Sequence, residues 1–103
     1  MLTSKQRAQL RGMAAMLDTI LLIGKDGITE NVVASAMEAL HARELIKGRV
    51  LEASLLTARE ACDALAEACR AEGVQVIGNK FVLYKRNEKD PKIELVSERK
   101  KRK

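Results

Sequence analysis

The chain has 103 residues, 47% hydrophobic and 32% charged, with a net charge of +5. That length suits one domain with a modest core, and no apolar run approaches the roughly 20 residues of a membrane span. Two cysteines and a single histidine argue against a disulfide framework or a zinc site, and Phe81 and Tyr84 are the only aromatic residues.

The charge is uneven. Residues 85–103 carry nine basic and four acidic side chains, so the whole +5 lies there, while residues 1–84 hold ten of each. The segment ends in an unbroken basic run, Arg99 to Lys103, which self-repels and adds non-specific attraction to phosphates. We therefore divide the chain into a domain over 1–86 and a flexible basic tail over 87–103, within which "KIELV" (92–96) either forms a short strand or docks on the body. The opening "MLTSKQRAQLRG" lacks the apolar stretch of a secretory signal, which predicts a cytoplasmic protein.

Thr3 and Gln6 stand at capping-box spacing, and Leu10, Met13, Ala14 and Leu17 follow at helical intervals, predicting a first helix. "TILLIG" (19–24) is apolar on both faces and reads as an interior strand, one face covered by that helix. A second helix starts at Thr29, with Val33, Ala36, Met37 and Leu40 on one face. "ELIKGRVLE" (44–52) alternates Ile46, Gly48 and Val50 against Lys47 and Arg49: a half-exposed strand with a basic outer side, in which Gly48 marks a bulge or a close backbone approach. Thr57 and Glu60 cap a third helix with Ala58, Cys62, Leu65 and Cys69 as its apolar stripe and Gly73 as its terminator. The two cysteines, seven residues apart on one helix, are about 10 Å apart, too far for a disulfide, and read as buried free thiols. "VQVIG" and "KFVLYKR" flank Gly78-Asn79 as a hairpin. The order α-β-α-β-α-β-β predicts a mixed sheet, parallel where helices cross over and antiparallel at the hairpin.

Gly24-Lys25-Asp26-Gly27 falls between a strand and a helix. Glycines permit close backbone approach, the following helix offers unpaired N–H groups, and Lys25 adds a mobile ammonium, a combination suited to a phosphate backbone. Taken alone, the tetrapeptide better suits an ordinary turn with Asp26-Gly27 chemistry.

Its surroundings weigh toward the first reading. "LTSKQRAQLRGMA", "LLIGKDGITENVVASAMEAL", "RELIKGRV" and "VQVIGNKFVLYKR" together make the chain, over about residues 3–86, resemble the CRM (chloroplast RNA splicing and ribosome maturation) domain in its bacterial single-domain YhbY-like form. The resemblance implies a four-stranded mixed sheet with helices, similar to the C-terminal domain of translation initiation factor three. It also implies RNA binding, with bacterial members associated with precursors of the large ribosomal subunit and plant relatives with intron splicing. The family's GxxG loop maps onto Gly24 to Gly27 and its basic surround onto Lys25, Lys47 and Lys80. Gly48 and the turn Gly78-Asn79-Lys80 depart from the family pattern.

The expected function is thus a non-catalytic, monomeric RNA-binding protein acting on ribosomal RNA in precursor particles of the large (50S-type) subunit, with no cofactor. Its expected contact residues are Gly24, Lys25, Asp26, Gly27, Lys47, Arg49, Lys80, Lys85 and Arg86. Alternatives are a protein-interaction adaptor on the ribosome using the acidic 57–72 segment, or an RNA chaperone or splicing-type factor. Catalysis has little support, since neither the cysteines nor His41 has an acid or base partner in the sequence.

Overall fold

A computed structural model describes residues 2–96. Three helices, α1 (Ser4–Ala14), α2 (Glu30–Arg43) and α3 (Ala58–Cys69), alternate with strands β1 (Thr19–Ile23), β2 (Leu45–Val50), β3 (Glu72–Ile77) and β4 (Lys80–Tyr84). The sheet order is β1-β2-β4-β3, with β1 parallel to β2 and the other pairs antiparallel.

Each helix starts where a threonine satisfies the orphan amides of its first turn. Thr3 and Gln6 exchange reciprocal hydrogen bonds at 3.0 and 3.1 Å, as do Thr57 and Glu60 at 2.8 and 3.1 Å, and Thr29 accepts from Val32 N at 3.1 Å. The alternation along the strands then builds two cores. On one face, Ile23, Ile46, Phe81 and Leu83 pack beneath α2 and α3, against Leu40, Ala61, Cys62 and Leu65. On the other, Leu45, Val74, Val82 and Tyr84 pack against Leu10 and Ala14 of α1. Both cysteines are buried free thiols.

Three expectations need correction. The first strand is an edge strand, not an interior one: α1 packs on β2 and β3, leaving Ile20 and Leu22 exposed while Leu21 and Ile23 face the α2–α3 core. Apolar residues on both faces of a strand do not reveal whether an element covers both. Gly73 does not terminate α3. Arg70 takes the left-handed position at φ 57°, and Gly73 lies in β3, where a Cβ would stand 3.0 Å from Cys62 Sγ. Met37 lies at the rim of its helical face and is exposed.

Gly48 is a close approach rather than a bulge. It pairs directly with Phe81, whose ring occupies the space a Cβ would need. The irregularity falls instead in β1, between Thr19 and Leu21.

"KIELV" docks without forming a strand. Val96 and Glu94 bond the side chains of Gln6 and Gln9 on α1, and Ile93 and Leu95 pack on the α1-side core. The basic run Arg99–Lys103 lies outside the described residues.

Candidate nucleic-acid interface

Gly24–Gly27 closes as a tight turn, with Gly27 N donating to Gly24 O at 3.1 Å. Gly27 needs its missing side chain, since its φ of +71° is a region that L residues rarely adopt. Gly24 is different: a Cβ there meets nothing within 4 Å, so the fold itself does not demand glycine. Lys25 and Asp26 sit exposed at the tip. The cap of α2 is Thr29, so Asp26 is not needed in that role.

Backbone bonds gather three segments at this end of the sheet. Leu51 N donates to Ile23 O at 2.8 Å, and Val50 N donates to Asn79 O at 2.7 Å. The glycine turn, the end of β2 and the β3–β4 turn therefore lie side by side. Across the α1 side of the sheet, the register aligns Leu22, Arg49, Lys80 and Ile77 in one row, and Lys47, Val82 and Gln75 in the next. Two cations stand at the centre of the first row, with an exposed apolar side chain at each edge.

These cations are not neutralised from within. Among the described residues the ion pairs are Arg7–Glu72 at 3.6 Å and Lys92–Asp90 at 3.2 Å, and neither touches Lys25, Lys47, Arg49 or Lys80. Arg49 Nε is buried and lacks a hydrogen-bond partner among the described residues. Asp26 shares the turn with Lys25 and Glu52 follows the end of β2, but the acidic helices lie elsewhere. The helices with net negative charge, α2 and α3, share the opposite face of the sheet, while α1 contains Lys5, Arg7 and Arg11 and no acid.

Lys85 and Arg86 are not brought to this end. They follow the far end of β4, and at about 3.3 Å per strand residue Lys85 lies roughly 16 Å along the chain from Lys80. Lys85 Nζ instead donates to Cys69 O at 2.8 Å, satisfying a carbonyl at the negative end of α3. Arg11 faces Lys47 and Lys80 across a groove. Its basic character was legible, but its proximity follows only from the docking of α1.

The far end holds a second feature that sequence reasoning missed. Glu44 is fully buried, with a left-handed φ of 67°. Its carboxylate accepts backbone N–H bonds from Asn87 at 2.6 Å, Lys92 at 2.8 Å and Ile93 at 2.7 Å, closing the 87–93 segment around one side chain. Burial alone would raise its pKa, yet these three bonds and the charge of Lys92 bring it below the ordinary carboxylate value.

Burial pushes both cysteine thiols up, away from thiolate. Among the described residues no group of three or more His, Cys, Asp or Glu side chains is placed to hold a metal ion, and no helix is long and apolar enough to cross a membrane. Phe81 and Tyr84 are both buried, on opposite faces of the sheet.

A four-stranded mixed sheet with helices on both faces, carrying a glycine turn beside a row of cations that have no acid partner among the described residues, defines a small α/β domain with one cationic end. The chain belongs to the CRS1 / YhbY (CRM) domain family, which matches residues 2–85. It is 42% identical over 95 residues to the "Probable RNA-binding protein YqeI" of Bacillus subtilis (strain 168), covering 92% of this chain and 99% of that one. An "RNA-binding protein" of Haemophilus influenzae is 37% identical over 94 residues, covering 91% and 94% respectively. The solution structure of the hypothetical protein SAV1595 from Staphylococcus aureus superposes with a TM-score of 0.78 at 43% identity, covering 93% of this chain and all of that one.

Proposed function

We propose that this protein is a non-catalytic RNA-binding protein that acts in the cytoplasm on ribosomal RNA, in the assembly of the large ribosomal subunit. The observation that carries the RNA-binding reading is the convergence of the GKDG turn with Lys47, Arg49 and Lys80 at one end of the sheet, where none of the ion pairs among the described residues engages these cations. The names of its relatives point to the same ligand class. The turn seats a phosphate on its backbone, Lys25 closes over it, and the row of cations holds the neighbouring phosphates. The assignment to ribosome assembly rests on the family resemblance.

Titrating structured ribosomal RNA against salt tests the contact. The logarithm of the affinity should fall linearly with the logarithm of salt concentration, and Lys25→Ala should flatten the slope by about 0.7–0.9, one phosphate contact. A flat salt response, or a Lys25→Ala protein indistinguishable from wild type, overturns the loop assignment. Crosslinking in cells, combined with sedimentation, tests the target: the protein should travel with precursors of the large subunit, and crosslinks confined to messenger RNA overturn the assembly role.

A further inference from the structure

We infer that the groove between the C-terminal half of α1 and the sheet is a subsite for one unstacked nucleotide of the bound RNA. The inference rests on the RNA-binding reading above and narrows it to RNA with unpaired positions.

The groove encloses about 240 Å³, below the roughly 300–1,000 Å³ of sites for drug-sized ligands and suited to one planar ring. Its floor is apolar: Ala14 and Val82 are buried beneath it, and Ile77 forms one wall. Its rim is cationic, with Arg11, Lys47 and Lys80 arriving from α1, β2 and β4, and no acid lines it. Gln75, the cross-strand neighbour of Val82, supplies the one neutral side chain with both a donor and an acceptor.

Each part of that lining matches one part of a nucleotide. The floor takes the face of a base, the Gln75 amide reaches its hydrogen-bonding edge, and the three cations take the flanking phosphates. A lone phosphate or an acidic side chain would engage the rim and leave the apolar floor in water. Since both aromatic rings are buried in the cores, stacking falls to the guanidinium plane of the exposed Arg11. A base inside a continuous duplex cannot enter, because its faces are already stacked.

Three hairpins with identical stems test this by direct affinity measurement: one fully paired, one with a single bulged nucleotide, and one with an abasic bulge. Wild-type protein should prefer the bulged hairpin to the paired one by about tenfold, and the abasic bulge should lose most of that preference. Ala15→Leu, at an exposed position on the groove wall, fills the space without altering charge, and Gln75→Ala removes the amide. Both variants should bind the bulged hairpin no better than the paired one while keeping wild-type affinity for the latter, whereas Lys25→Ala should weaken all three together. Equal binding of the three hairpins by wild type, or a preference that survives both variants, overturns the subsite and leaves the RNA-binding reading standing. Failure to bind any of the three removes that reading and the subsite with it.

Discussion

Side chains added at Gly48 and at Gly24 meet opposite fates. At Gly48 a methyl group would stand 2.7 Å from Phe81 Cε1 and closer still to Cζ, inside the core beneath α2 and α3. Gly48→Ala should therefore destabilise the fold by about 1–3 kcal/mol, the range for an overpacked core, read by chemical denaturation. At Gly24 nothing lies within 4 Å, so Gly24→Ala should leave the denaturation midpoint unchanged and lower RNA affinity by keeping a phosphate away from the turn. Unchanged affinity would show that the RNA backbone does not approach there. Gly27→Ala makes a poorer probe, because placing alanine at φ +71° costs about 1–2 kcal/mol of its own. The sequence showed that Gly48 was unusual for a strand. It could not show that the cause is Phe81, 33 residues away and on a different strand.

Among the elements, the segment after β4 depends most on one side chain. Glu44→Gln keeps one acceptor oxygen but loses the charge and the second acceptor, so the Asn87, Lys92 and Ile93 amides compete for what is left. The expected loss is about 1–3 kcal/mol, seen as lower hydrogen-exchange protection at those three amides. The folded pKa of Glu44 is depressed, so its contribution is complete above the unfolded value of about 4.3 and disappears as pH falls through the folded value. Protection at the three amides should drop in that acid range in wild type, and Glu44→Gln should show no such step. This interaction was invisible in the sequence, as its partners lie 43 to 49 residues apart. The helix starts were legible because capping is local: Thr3, Thr29 and Thr57 each act within three residues. The end of α3 was misread for a related reason. A glycine just past a helix suits a terminator by spacing alone, and only the packing of Cys62 shows that Gly73 serves β3.

At the scale of the molecule, the fold sorts charge that the sequence leaves mixed. Residues 1–84 are neutral overall, yet the helices rich in acid share one side of the sheet and Lys47, Arg49 and Lys80 the other. Lys47→Ala and Lys80→Ala should each lower the salt slope of RNA binding by about 0.7–0.9. Lys85→Ala should leave that slope unchanged and instead reduce stability by about 0.5–1.5 kcal/mol, since its ammonium is engaged with the end of α3. A salt titration and a denaturation curve on the same proteins separate the two sets. The alternation of 44–52 made Lys47 legible and the family resemblance pointed to Lys80, whereas the end of the sheet reached by Lys85 depends on strand register.

The uncovered edge strand also bears on how the chain behaves in a concentrated solution. β1 leaves one side of its backbone unpaired, beside the exposed side chains of Ile20 and Leu22, a template on which another strand can add. The irregularity between Thr19 and Leu21 and the charges of Asp18 and Lys25 at its two ends act as gatekeepers against such growth. Replacing either charge with an apolar residue would lower the concentration at which the protein self-associates, long before it altered the melting temperature.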